Sequence, residues 1–178
     1  VASIVRALYK NLISGKIEQG GSTLTQQLAK NLYPRRDYGL LSMPVNKLRE
    51  MATAVRIEKI YTKEEILELY LGTVPFGENT FGIRAASMRF FNKEPRELQT
   101  EESAVLIGML KATSIYNPVR DPEKAQVRRN VVLGQMAKYE YIDEAMADSL
   151  QELPIDGFSV ATNPVAKPRM SAMALCAL

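Results

Sequence analysis

Gly20-Gly-Ser-Thr-Leu-Thr-Gln-Gln-Leu-Ala-Lys-Asn31 is the stretch from which the fold can be worked outward. Two glycines precede Ser22 and Thr23, hydroxyls that can cap a helix by accepting from its first free backbone N–H groups. Thr23 and Gln26 stand at capping-box spacing. In that helix Thr23, Gln26, Gln27 and Lys30 fall at i, i+3, i+4 and i+7 and share a face, while Leu24 and Leu28 lie on another. A hydroxyl, two amides and an ammonium together suit the grip of a polyol or a phosphate. A merely solvated face more often carries Glu and Lys, which are better helix formers. Taken alone, the run also fits a capped amphipathic helix with a polar outer side.

Helical spacing recurs along the chain. Val1, Ile4, Val5, Leu8 and Leu12 form one stripe, stopped at Ser14-Gly15. Pro34, Gly39 and Pro44 break the pattern over 33–44. From about Val45 to Tyr61 a stripe of Val45, Leu48, Ala52 and Val55 resumes it. Thr62 and Glu65 make a second capping box, opening a helix expected to end at Gly72 as its C′ residue. A loop rich in Gly and Pro (Val74 to Gly82) leads to a helix near Ile83–Phe91. Thr100 is expected to cap a segment, Ala104 to Leu110, that is apolar on every side and therefore central. Asp121-Pro122 reads as N-cap and first residue of a long helix reaching about Tyr139, and Asp143 starts a short last one. With little β-type alternation and no internal repeat, the chain reads as all-α. Phe158–Leu178, rich in Ala, Ser, Pro and Met, reads as an unassigned tail or linker after a core of residues 1–157.

Composition narrows the chemistry. At 178 residues the chain is long enough for one domain with a substantial core. A net charge of +3 is too small to imply nucleic-acid binding, so no nucleic-acid partner is expected. There is no histidine, which excludes Ser-His-Asp and Cys-His catalysis and any imidazole metal site. Cys176 is the single cysteine. Chemistry must rest on carboxylates, Lys, Arg, hydroxyls and amides. No run of about 18 apolar residues is present.

The 20–31 run resembles the second signature of the peptidoglycan glycosyltransferase domain, found in class A penicillin-binding proteins and monofunctional transglycosylases. Lys47-Leu-Arg-Glu50 resembles the K-x-x-E core of its third signature. Lys63-Glu-Glu-Ile-Leu-Glu-Leu-Tyr-Leu71 resembles the fourth, and Arg128-Arg-Asn-Val-Val-Leu-Gly-Gln-Met136 the fifth. Phe76-Gly77, Gly82-Ile83 and Ala85-Ala-Ser87 are similar to the segment after the fourth. The resemblance covers roughly residues 1–150 and implies a lysozyme-like helical domain with a smaller membrane-facing lobe.

It also implies an activity: polymerisation of lipid-linked disaccharide-peptide (lipid II) onto a growing glycan strand. Transfer inverts the anomeric centre and releases polyprenyl pyrophosphate. Ser22, Thr23, Gln26, Gln27 and Lys30 would then belong to the donor site. Lys30 and Lys47 would be the cations beside the pyrophosphate, with Arg35 and Arg36 as further candidates. Glu50, three residues after Lys47, corresponds to the family's second essential glutamate; read structurally, the pair is an ion pair worth roughly 0.3–0.5 kcal/mol. No cofactor is required by this reading, although it leaves room for a divalent cation (Mg2+ or Mn2+) at Glu50. Asn46 stands where the family usually has Arg, so one pyrophosphate contact is expected to be lost or moved to Arg49.

The first signature, E-D-x-x-F-x-x-H-x-G, carries the glutamate proposed as general base. The chain contains no His, and its first carboxylate is Glu18. By itself the chain is therefore expected to be inactive or nearly so. The resemblance places such a domain on the outer (periplasmic) face of the bacterial cytoplasmic membrane, anchored by an upstream segment. A transpeptidase domain downstream and cell-wall synthesis proteins would be its partners.

Other residues read as structural. Glu65 serves as a cap. Arg128 and Arg129 are expected to tie the long helix to carboxylates, and Val131, Val132, Leu133 and Met136 to be core. Tyr38–Pro44, after Arg35-Arg36, is either a loop tucked against the domain or an apolar tip entering the headgroup region. Two other readings remain: lytic, lysozyme-like glycan cleavage, against which Lys30 and Lys47 argue, and a non-catalytic module binding the lipid precursor.

Overall fold

The computed structural model describes residues 23–155. Ser22, the helical stripe of residues 1–12 and the tail after 157 lie outside the described residues. Within them the chain forms seven α-helices: α1 Leu24–Leu32, α2 Ser42–Ile60, α3 Lys63–Thr73, α4 Ile83–Phe91, α5 Thr100–Met109, α6 Pro122–Lys138 and α7 Glu144–Glu152. Short 3-10 turns at Gly39–Leu41 and Pro95–Glu97 join some of them, and Pro75 and Phe81 make an isolated antiparallel bridge.

Side-chain caps start these helices where the sequence provides them. Thr23 Oγ1 accepts from the Gln26 N–H at 3.2 Å. Thr62 and Glu65 form the full reciprocal box ahead of α3. Asp121 and Asp143 cap α6 and α7. At α5 the cap is Gln99, paired with Glu102, and Thr100 is the first helical residue instead. The Gln99 N–H donates to Glu102 Oε2 at 2.8 Å, which sets the helix start one residue before the expected cap.

Two other boundaries depart from expectation. Helix α2 begins at Ser42, so Pro44 lies inside its first turn rather than before it. Proline is tolerated there because the first N–H groups of a helix have no intrahelical partner. Gly72 is not a C′ residue: α3 continues to Thr73 and is capped by Val74 in extended conformation.

Helix α1 packs on α2 and α3, α5 lies along α6, and α7 closes against α6. Leu28 of α1, Ile57 of α2, Ile66 and Tyr70 of α3, Phe90 of α4, and Leu106 and Met109 of α5 meet in the main core. Helix α5 is buried on most of its surface, as its apolar composition predicts. Ala104 joins Val132, Leu133 and Met136 of α6 in a second cluster. Each fully buried side chain of this size contributes roughly 1.5–3 kcal/mol.

Three expectations about sidedness fail. The stripe of α2 faces outward: Leu48 is 66% exposed, Val55 and Ala52 are exposed, and the residues turned inward are Asn46, Glu50, Ala54 and Ile57. The polar pair goes inside because it has partners there. Val131 is exposed, since it lies on the face of α6 opposite Leu133 and Met136. Arg129, 1% exposed, donates not to a carboxylate but to Asn130 Oδ1 and the Gln151 carbonyl, each at 3.0 Å. Burial lowers its pKa, with the Glu101 charge opposing. Arg128 lies over the Tyr116 ring, 6.0 Å from its centre.

Candidate active site

Helices α1 and α2 carry the polar cluster, and the loop between them closes it. The side chain of Glu50 is only 8% exposed. Its two oxygens face different cations: Arg35 Nε lies 3.0 Å from Oε1, and Lys47 Nζ lies 3.6 Å from Oε2. Lys47 reaches across to α1, donating to Gln26 Oε1 at 2.7 Å. A buried carboxylate is costly unless paired. Helical spacing supplies one partner, Lys47, at i−3, and the loop supplies the other.

Gln27 turns away from this cluster. Its Oε1 accepts from the Tyr70 hydroxyl of α3 at 3.3 Å, and burial holds the Tyr70 phenol above its usual pKa. Thr23 spends its hydroxyl on the cap. Lys30 stands exposed in the last turn of α1, where the helix dipole favours a cation. Arg36 is held through its backbone: its N–H donates to Asn46 Oδ1 at 3.0 Å and its carbonyl accepts from Asn46 Nδ2 at 2.7 Å. Arg49 Nη1 approaches Asn46 Oδ1 at 3.4 Å, so Arg49 does not take up a place on Glu50. Ala29, Tyr33, Arg35, Asn46, Arg49, Glu50 and Thr53 line a small cleft beside the carboxylate.

Of the residues singled out in the sequence, Gln26, Arg35, Lys47 and Glu50 come together around one carboxylate, while Gln27, Lys30 and Thr23 do not join it. Tyr70 and Asn46 carry contacts that sequence reasoning missed. Tyr70 looks like one more apolar position of α3, and only its hydroxyl could have signalled a polar partner. Among the described residues no three His, Cys, Asp or Glu side chains come together. Among the described residues, both Glu50 oxygens face cations, Arg35 and Lys47.

Residues 1–137 match the family model described as Transglycosylase. The chain belongs to the transglycosylase family. It is 40% identical over 149 residues to penicillin-binding protein 1F of Bacillus subtilis, covering 84% of this chain and 20% of that protein. To penicillin-binding protein 1A of Escherichia coli it is 41% identical over 145 residues, 82% of this chain and 17% of that one. The crystal structure of penicillin-binding protein 1A from Haemophilus influenzae superposes with a TM-score of 0.52 at 35% identity, over 59% of this chain and 16% of that chain. The chain thus spans about a fifth of the length of the curated relatives it matches. As a transglycosylase it has the all-α, lysozyme-like fold expected from its signatures.

Proposed function

We propose that this transglycosylase chain carries the donor side of a peptidoglycan glycosyltransferase. The enzyme would polymerise lipid II into glycan strands by inverting transfer, with polyprenyl pyrophosphate leaving. One observation carries the reading: in a chain of this family, a buried carboxylate sits between Arg35 and Lys47, with the Gln26 amide on the same lysine. A departing pyrophosphate needs fixed positive charge in a partly desolvated cleft, because charge developing in the transition state is stabilised most by groups already in place. Lys47 and Arg35 supply that charge, Glu50 orients both, and Lys30, Arg36 and Arg49 lie on adjoining surface. Ser22, Thr23, Gln26 and Gln27 would bound the sugar-binding side. In this reading the base that activates the acceptor hydroxyl is a residue of the family's first signature and not Glu50.

The same reading puts the chain against a membrane, on the outer face of the bacterial cytoplasmic membrane. Among the described residues no helix is long and apolar enough to cross a bilayer. Instead, Leu40 and Leu41 at the loop tip and Met43, Leu48, Met51 and Val55 along α2, the helix that carries Glu50, are exposed. A substrate with a polyprenyl tail is best met at such a surface. The relatives named penicillin-binding proteins are about five times longer, which fits a transpeptidase domain and cell-wall synthesis proteins as partners of the whole protein.

The test is polymerisation of fluorescent lipid II by this chain and by a version extended upstream through the first signature of its own gene. The extended form should make glycan strands, and Glu50→Gln in it, which loosens the two cations, should cost about 10²-fold. An extended protein that binds the precursor without polymerising it would make the domain a binding module and end the catalytic assignment.

A further inference from the structure

We propose that Asn46 is a positioning residue: it fixes the Arg36 peptide and thereby sets the guanidinium of Arg35 on Glu50. The inference rests on the donor-side reading of Glu50 given above.

Arg35 makes the closer contact with Glu50, at 3.0 Å against 3.6 Å for Lys47. Yet Arg35 comes from the connection between α1 and α2, 15 positions away in sequence, and its side chain is 43% exposed. A long side chain on a loop keeps one geometry only if its backbone is held. The hold comes from the next residue. Asn46, 3% exposed, grips both polar groups of Arg36, accepting from its N–H and donating to its carbonyl. The second Nδ2 hydrogen goes to the Ser42 carbonyl at 2.7 Å, and Oδ1 also receives Arg49 Nη1. All four hydrogen-bonding positions of the amide are used.

Past this grip Asp37 folds the rest of the loop, accepting from the Gly39 N–H at 2.9 Å and the Ser42 hydroxyl at 2.8 Å. Arginine at position 46 could not do the same, because a guanidinium has donors and no acceptor for the Arg36 N–H. Asparagine on the helix and arginine on the loop are therefore one device: Arg35 supplies the cation, and Asn46 holds the loop that delivers it. Arg49, on the same helix, turns its guanidinium to Asn46 as well.

The first measurement is the Arg35 Nε–Hε signal in 15N-edited NMR of the 178-residue chain. It should be shifted from the free-guanidinium envelope, and it should return there in both Glu50→Gln and Asn46→Ala. In the upstream-extended protein, Arg35→Ala and Asn46→Ala should each lower kcat about tenfold or more, and the double variant should be no worse than the poorer single. If circular dichroism shows Asn46→Ala unfolded, Asn46→Ser carries both measurements. An Arg35 signal unmoved by the position-46 variant overturns the proposal, as do losses that multiply in the double variant, or a moved signal with kcat unchanged. If the NMR responses appear but the extended wild type never polymerises lipid II, the positioning stands and the functional reading fails instead.

Discussion

Gly82 and Gly72 are the residues at which the smallest change has the most opposite consequences. Gly82 sits at φ +82° where the loop after α3 turns into α4, and a Cβ there would lie 2.4 Å from the Gly72 carbonyl oxygen. Backbone cannot swing aside as a flexible side chain does, so Gly82→Ala should lose roughly 2–4 kcal/mol in urea unfolding. Gly72 is helical, and a Cβ there meets nothing within 4 Å. Gly72→Ala should gain roughly 0.5–1 kcal/mol by restricting the unfolded chain. A stabilised Gly82→Ala would mean that the α3–α4 approach is looser than the structure shows. At this scale the sequence was legible where a residue's chemistry admits one use. Lys47 and Glu50 three apart could be paired from spacing alone. Arg35 could not be assigned to the same carboxylate, because the contact depends on a loop whose path follows from Asn46, and nothing in the spacing of positions 35, 46 and 50 announces it.

Among the elements, helices were legible and their sidedness was not. Caps at Thr23, Thr62, Asp121 and Asp143 act locally, within three residues, so the sequence suffices to find them. Which face is buried depends on what the helix packs against. Periodicity alone placed Leu48 and Val55 of α2 inside, whereas they are exposed and Asn46 and Glu50 are buried. With Leu40, Leu41 and Met43 at its amino end, α2 thus presents an apolar outer side, rimmed by Arg35 and Arg36. If that side meets lipid, the double change Leu40→Ser, Leu41→Ser should weaken cosedimentation with anionic liposomes by about tenfold or more, since one fully buried leucine is worth roughly 1.5–3 kcal/mol. The thermal midpoint should hardly change, because neither side chain contributes to the core. Undiminished liposome binding would assign the exposed stripe to another surface.

For the molecule as a whole, the absence of histidine and the disposition of its carboxylates set the response to pH. No side chain with an ordinary pKa titrates between pH 5 and 8. Folding should therefore change little in stability across that range. On the acid side, three carboxylates among the described residues are held below their ordinary values: Asp37 chiefly by the Ser42 hydroxyl, Glu94 by the Arg84 guanidinium, and Asp121 by Lys124. A carboxyl whose folded pKa is depressed binds its proton more readily when unfolded. Its contribution is complete above the unfolded value, 3.8 for Asp and 4.5 for Glu, and is lost as pH falls through the lower folded value. Unfolding free energy should hence stay level down to about pH 5 and decline below about pH 4, with net proton uptake on unfolding. All three groups are at the surface, so added salt should flatten the part of the decline due to Glu94 and Asp121, whose partners are charged. It should spare the part due to Asp37, whose partners are a hydroxyl and an amide. Urea titrations from pH 3 to 8, with Asp37→Asn beside the wild type, separate the two. In Asp37→Asn the acid decline should be shallower at every salt concentration. An acid limb as steep as the wild type's would mean that the Asp37 turn is not part of the folded state's acid sensitivity.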